Sequence, residues 1–255
     1  MLHELLDFMS KPIKALLKKS LSTGVLPNDW LASIVTPVFK KSNRNKAENY
    51  RPISLTSIVC KVMESIIKKD VVKHFVANSL FAEEQHGFIA GRSTTTQLLK
   101  FIDQCLQSYV QEGVVDTIYL DFAKAFDTVP HRRLIAKLRS YGIAGAALNW
   151  IKAFLTNRTQ VVRVNGEVSE PAVVESGIPQ GSVLGPILFV IYINDLPNQV
   201  MQVSAMYSQW EKSRILYTLT TTVWMVSIWN MYSKRKIWGL SSTANLNSMS
   251  TLPLK

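Results

Sequence analysis

Between Thr117 and His131 the chain places a charge at the end of an apolar strand, and few folds tolerate that without a purpose. Thr117-Ile118-Tyr119-Leu120-Asp121 alternates Ile118 and Leu120 with Thr117 and Tyr119. All but the leucine are good strand formers. Asp121 closes the run. A carboxylate at the end of a buried strand is costly unless something binds it. One such partner is a divalent cation, since Mg²⁺ sites use one or two carboxylates together with substrate phosphates. The other reading is an Asp that caps the element after it. The residues themselves leave both open.

A second constraint lies at Ser176-Gly177-Ile178-Pro179-Gln180-Gly181-Ser182-Val183-Leu184-Gly185-Pro186. Its glycines and prolines predict a turn whose backbone can approach another group closely. Ser182 is placed to cap the following helix, with Pro186 tolerated in its first turn. Val183 to Leu196 is apolar almost throughout, so that helix is predicted to be buried.

Two further stretches precede these: Asn49-Tyr50-Arg51-Pro52-Ile53-Ser54-Leu55 and Gln85-His86-Gly87-Phe88-Ile89-Ala90-Gly91-Arg92-Ser93-Thr94. With Asp121-Phe122-Ala123-Lys124-Ala125-Phe126-Asp127 and the Gly177 turn, they resemble, in order, the motifs of reverse transcriptases of LINE-type (jockey-like, non-long-terminal-repeat) retrotransposons. The resemblance covers about Leu26 to Pro197. It implies an α+β fold of polymerase fingers and palm over residues 26–198. A basic lead-in helix (1–25) precedes this region and a divergent tail (199–255) follows it.

Local patterns fill in that frame. Residues 1–25 read as a basic amphipathic helix, with Leu5, Leu6, Met9, Ile13, Leu16 and Leu17 on one side. Lys11, Lys14, Lys18 and Lys19 occupy much of the other side, as a solvated face or a phosphate-contacting one. Leu31 to Phe39 is strand-like, and Lys40 to Lys46 is a basic loop, which the resemblance makes part of a fingers hairpin. Thr56 or Ser57 can cap a helix whose core stripe is Ile58, Val59, Val62, Met63, Ile66, Ile67 and Val71. Thr94 to Tyr109 is another amphipathic helix, with Leu98, Leu99, Ile102 and Leu106 as its apolar stripe. Arg132 to Tyr141, closed by Gly142, and Ala147 to Leu155 are shorter helices. Gln160 to Val164 and Glu167 to Val174 form a hairpin about Asn165-Gly166, a preferred turn pair.

The resemblance also assigns roles. Arg92 would meet the triphosphate of an incoming deoxynucleoside triphosphate, a task suited to a guanidinium. Read without the motif, Arg92 is a surface cation. Phe126 takes the steric-gate position that excludes a ribose 2′-hydroxyl. Gln180 and Gly181 belong to the nucleotide site, and Asp127 is structural. Asp121 is the catalytic metal ligand. In the family two metal ions, roughly 3.5–4 Å apart, stabilise the attacking and leaving oxygens, and about three carboxylates hold them. The other two form an Asp-Asp pair on a hairpin shortly after the Leu196-Pro197 position. This chain has no Asp-Asp, and after Asp195 its only acidic residue is Glu211. The expectation is an incomplete palm, no in-frame thumb, no productive Mg²⁺ site and no polymerisation. A nucleic-acid-binding remnant and a translated relic without function are the alternatives.

Charge bears on the partner. Lys+Arg 29 against Asp+Glu 18 gives a formal net charge of +11, which suits RNA or an RNA–DNA duplex. Cys60 and Cys105 stand singly in helical patterns. That predicts a reducing compartment (cytoplasmic or nuclear), no disulfide partner and no zinc site. No signal peptide is legible at the N-terminus, and no endonuclease region precedes the motifs. The uncharged run Ile215 to Tyr232 is broken by Thr220-Thr221-Thr222, Ser227 and Asn230, against a membrane span. The tail has a further reading in the genetic code. Taking each codon's third base with the next codon's first two turns Trp224-Met225 into Asp and Met225-Val226 into Gly. Trp238-Gly239 likewise becomes Gly. The shifted string resembles the entry to a polymerase thumb, so the tail is predicted to be frameshifted and poorly ordered.

Overall fold

The computed structural model describes residues 2–110, 116–122, 124–198, 215–219 and 223–228. The chain divides into two compact units, Met1–Leu80 with Phe126–Tyr192, and Phe81–Ala125 with Ile193–Lys255.

The first unit opens with α1 (Leu2–Thr23) and the single turn α2 (Asn28–Leu31), then β1 (Ala32–Phe39), β2 (Tyr50–Leu55) and α3 (Ile58–Ala77). β1 and β2 pair antiparallel from Ile34↔Leu55 to Phe39↔Tyr50, so Lys40 to Lys46 is the loop at the tip of a hairpin. The lead-in helix forms where the 3.6-residue period predicts it, but of its predicted apolar side Met9 and Leu16 are exposed and Leu17 is buried. Leu17 and Ser20 face inward, and its lysines are exposed. Ser20 Oγ donates to the Val25 carbonyl at 2.9 Å and accepts the Trp150 indole N–H at 3.0 Å.

After residue 126 the unit continues with α5 (His131–Ser140), α6 (Gly145–Leu155), β4 (Arg158–Val164), β5 (Glu167–Val168), β6 (Ala172–Val174) and α7 (Gly185–Ile193); β3 lies in the other unit. β4 pairs parallel to β1 from Ala32↔Thr159 to Val35↔Val162, and antiparallel to β5 and β6. Asn165 (φ 51°) and Gly166 (φ 91°) both adopt the positive φ that a two-residue hairpin turn requires. Under the sheet lies a core of Trp30, Met63, Ile67, Phe75, Leu134, Leu138, Trp150, Phe154 and the whole of α7, buried as predicted.

Two local expectations are corrected in α3. Its buried face is Cys60, Met63, Glu64, Ile67, Val71 and Phe75. Ile58, Val62 and Ile66, predicted as core, are exposed. The reason is Glu64. Its Oε2 accepts the N–H groups of Val183 (2.6 Å) and Leu184 (3.0 Å) at the entry to α7, and this bond fixes which side of α3 turns inward. The cap is also altered. Ser57 occupies the N-cap position but makes no side-chain cap bond, and the Thr56 hydroxyl is buried without a partner among the described residues.

The second unit contains α4 (Thr94–Val110), β3 (Asp116–Asp121), β7 (Ile215–Leu219) and β8 (Val223–Ile228). β8 lies between β3 and β7, antiparallel to both. In α4 the predicted apolar stripe is the exposed side: Leu98, Leu99, Ile102 and Leu106 are each 43–60% exposed. The inward side holds Gln97 and Ser108. Periodicity located the apolar face but carries no information about what covers it, and here the polar side is turned in. The Gln97 amide and the Gln104 carbonyl oxygen are buried without a partner among the described residues. Among those residues no helix is long and apolar enough to cross a membrane.

Glu64 yields a test. Replacing it by Ala strips two buried N–H groups of their acceptor and is expected to cost about 3 kcal/mol of unfolding free energy. Burial, outweighing the backbone bonds and the Arg158 and Lys61 charges, raises the Glu64 pKa above its ordinary 4.5. A carboxyl raised in the folded state contributes stability below 4.5 that is lost as pH rises through the raised value. The wild-type melting temperature, measured against Glu64→Gln, should therefore decline from pH 4.5 upward. A flat difference would refute this linkage.

Candidate nucleotide and nucleic-acid site

Three of the four motifs meet in the first unit through backbone contact. The turn at Ser176 to Gly181 lies directly on the turn at Phe126 to His131. Gly177 N–H donates to the Val129 carbonyl (2.9 Å) and Ile178 N–H to the Phe126 carbonyl (2.8 Å). The His131 Nε2–H donates to the Gly177 carbonyl at 2.7 Å, and Ser176 Oγ donates to the Asp127 carbonyl at 3.2 Å. Gly177 has φ +89°, and a Cβ there would sit 2.7 Å from the Asp127 carbonyl oxygen. On its other side the turn meets β2. Ser54 N–H donates to the Gln180 carbonyl (2.7 Å), and a Cβ on Gly181 (φ +100°) would lie 2.9 Å from the Ser54 carbonyl oxygen. Both glycines are thus required for φ and for space.

The turn then enters α7. Ser182 Oγ accepts the Gly185 N–H at 2.9 Å, so Ser182 caps as predicted, and Pro186 sits in the first turn. Glu64, unmarked by any motif, accepts two more N–H groups on its single oxygen Oε2, while its Oε1 is buried without a partner among the described residues. Arg158 is a second residue that sequence reasoning missed. It is 1% exposed, stacks its guanidinium over Phe154 at 4.9 Å, and donates from Nη1 to the Trp30 and Phe154 carbonyls. Nearby, burial and then the Glu64 carboxylate push the Cys60 thiol up to about 12, which leaves it unreactive. Both cysteines are free thiols. The one sequence signal for Glu64 and Arg158 is a charge at a position where the helical or strand period calls for an apolar residue.

The nucleotide-side residues fall as follows. Gln180 donates its amide nitrogen to Asp127 Oδ1 at 2.9 Å, which fixes the amide's orientation. Phe126 stacks on Phe189, centroids 4.8 Å apart and planes at 29°. A cleft of about 390 Å³ opens beside them, with Ser54, Asp127, Gln160, Glu175 and Gln180 on its walls. Arg92 and Asp121 belong to the second unit. Arg92 Nη1 donates to the carbonyls of Ala82 (2.7 Å), Glu83 (3.2 Å) and Gln85 (2.7 Å), bracing its own loop. In that loop, burial and then the Arg92 charge hold His86 below its usual pKa.

Asp121 closes β3 opposite Val223, the first residue of β8. β7, β8 and the three threonines between them contain no Asp, Glu, His or Cys. Among the described residues no three metal-ligating side chains of those types converge. β3 carries two carboxylates, Asp116 at its first position and Asp121 at its last, about 16 Å apart along the strand, and its partner strands add none. That donor set does not fit a pair of Mg²⁺ ions, which prefer oxygen ligands and dehydrate reluctantly.

With this geometry established, comparison identifies the family. The chain belongs to the reverse transcriptase (RNA-dependent DNA polymerase) family, whose model matches residues 39–218. The match continues past Gln199, where the motif resemblance ends. A probable RNA-directed DNA polymerase from transposon X-element of Drosophila melanogaster is 35% identical over 173 residues, 67% of this chain and 19% of that protein. The RNA-directed DNA polymerase from mobile element jockey of Drosophila funebris is 32% identical, over 60% of this chain and 16% of that protein. These relatives place the chain among LINE-type, non-long-terminal-repeat retrotransposon polymerases. It spans about a fifth of the length of the curated relatives it matches. An apo telomerase from Candida tropicalis, truncated from its C-terminal domain, shares the fold at TM-score 0.52 and 12% identity, over 80% of this chain and 44% of that one. The fold is therefore mixed α+β, of the fingers-and-palm type.

The junction predicts a graded glycine series. Gly177→Ala and Gly181→Ala should each cost more than about 2 kcal/mol, since strain and overlap add. Gly166→Ala has a positive φ but nothing within 4 Å of its Cβ, and should cost about 1 kcal/mol. Urea midpoints of the three variants measure the order. Equal losses would contradict the close-approach account.

Proposed function

We propose that this chain is the fingers-and-palm segment of a retrotransposon reverse transcriptase that holds RNA or an RNA–DNA duplex without extending a primer. The observation that carries the second half is the β3–β8 register. Asp121 ends its strand beside a hairpin whose residues 215–228 offer no carboxylate. Nucleotide addition needs charge stabilisation at both the attacking and the leaving oxygen, and one aspartate is too little to organise it. The motif residues support nucleotide contact by resemblance: Arg92 would meet the triphosphate, Phe126 would act as steric gate, and Gln180 and Gly181 would meet the incoming nucleotide. The tail from residue 199 is read as the out-of-frame remainder of the polymerase. Sequencing the coding DNA tests that. In the shifted frame Lys236-Ile237 must read Asp rather than Asn and Ile237-Trp238 must read Leu rather than Met, giving Asp-Leu-Gly with Trp238-Gly239, and a frame without that Asp-Leu-Gly overturns the reading.

Nucleic-acid holding is supported by the β1–β2 hairpin tip. Lys40, Lys41, Arg44 and Lys46 are exposed there. The loop is internally braced: Arg44 lies over the Phe39 ring at 4.9 Å, and the Tyr50 hydroxyl donates to the Arg44 carbonyl at 2.9 Å. A braced cationic loop loses less entropy on meeting phosphates than a free one.

Two assays on the purified chain decide the proposal. Primer extension on an RNA template with Mg²⁺ or Mn²⁺ should give no product, with Asp121→Ala as control. Product abolished by the control would overturn the inactive reading. Binding to a labelled RNA–DNA duplex should weaken steeply with salt, and Lys40→Gln/Lys41→Gln/Arg44→Gln should lower the slope of log K against log salt by about 2–3. A salt-independent or absent interaction would overturn the holding reading.

A further inference from the structure

We propose that the outer face of α1, outside the region matched by the family model, is a second phosphate-tracking surface for nucleic acid, one that continues into a polar hollow at the helix's C-terminal end. It rests on the nucleic-acid-holding reading above and adds a contact distinct from the hairpin tip. Lys11, Lys14 and Lys18 stand at i, i+3 and i+7, within about 60° of one another around the helix and over about 10 Å along it. Ser20, buried, stands opposite this stripe, and Leu17, also buried, lies to one side of it, so packing itself directs the lysines outward. All four α1 lysines are exposed, and no acidic residue occurs between Ser10 and Asn28. None of the four takes part in an ion pair among the described residues. Phe8, 79% exposed, lies beside this stripe, where a base could stack.

At the end of the helix a hollow of about 420 Å³ is lined by Thr23, Asn149, Lys152, Thr156 and Asn157 among others, with no acidic side chain. The Lys152 cation and the Asn149 and Asn157 amides are donors suited to phosphate oxygens, while the Thr23 and Thr156 hydroxyls donate to the Lys19 and Lys152 carbonyls. The unit containing α1 also holds twenty of the 29 Lys and Arg residues against ten of the 18 Asp and Glu. An anionic lipid surface is the less favoured partner. A helix lying on lipid buries its apolar face there with its cations at the margins. On α1 Leu17 is in the core, while the exposed Met9 and Leu16 lie on the side of the helix roughly opposite the lysine stripe, so contact through them would turn the lysines away from the headgroups.

The test uses the full chain and a fluorescein-labelled 20-nucleotide RNA, titrated by anisotropy between 50 and 200 mM NaCl. Lys11→Gln/Lys14→Gln/Lys18→Gln should weaken binding at least about tenfold near 0.1 M salt and lower the salt slope by about 2. Lys68→Gln/Lys69→Gln/Lys73→Gln, on α3, equalises the charge removed and should change binding less than twofold. Circular dichroism melts confirm that both variants fold. If the hairpin-tip variant weakens binding and the α1 variant does not, this inference fails while the holding reading stands. If the wild type fails to bind RNA, both fail. Equal losses in the α1 and α3 variants would show a net-charge effect and overturn the assignment. Binding to phosphatidylserine vesicles that depends on the α1 lysines, without RNA binding, would make the surface a lipid one.

Discussion

The close approach of the Ser176–Gly181 turn to two other backbones holds the first unit's site together. On one side Gly177 lies against Asp127, on the other Gly181 lies against Ser54. Main chain packed on main chain leaves no room for compromise by rotamer change, because a carbonyl oxygen and an α-carbon cannot step aside as a side-chain tip can. The direction in which Gln180 and Phe126 present themselves is therefore set by backbone geometry. The Gln180–Asp127 bond and the Phe126–Phe189 stack are consequences of it.

The same turn explains why a buried carboxylate is tolerated on α3. A helix such as α7, apolar on all sides, must end inside the core, and its first N–H groups have no water to meet. Ser182 satisfies one. Glu64 satisfies two from a neighbouring helix, and the partial positive charge of the helix end favours an anion there. Burial opposes that charge and raises the Glu64 pKa, so a proton-dependent term is built into the core of this unit.

What the sequence shows and hides divides along physical lines. Asn165-Gly166, the caps at Gly142 and Ser182, and the buried run of α7 were legible because each depends on residues within a few positions of itself. The motif-bearing turns were legible because glycine is needed where φ is positive and space is short. The inward face of α3 was not, since the helix is apolar on two sides and a partner 119 residues away, Val183, chooses between them. For α4 the stripe was found and its burial was not, because amphipathicity names a face and not its cover. Arg92 shows a third kind of gap. The motif marks the residue, while only the structure shows Nη1 spent on three carbonyls of its own loop.

Holding nucleic acid and extending it make different demands on a fold. Phosphate contact is additive and tolerant: each exposed lysine contributes separately, and losing one lowers affinity without abolishing it. Metal-assisted phosphoryl transfer is neither, because the carboxylates act as a set and a missing pair leaves the remaining aspartate without a geometry to complete. A chain that keeps its backbone junctions and its lysines but lacks the paired aspartates should therefore lose the two capacities unequally. The hairpin β7–β8 illustrates the point at the level of structure. Strand pairing to β3 needs only backbone N–H and C=O groups, so residues 215–228 can complete a sheet beside Asp121 whatever their side chains. Sheet completion says nothing about chemistry, which requires oxygen ligands in a register where this chain offers Val223 and Trp224.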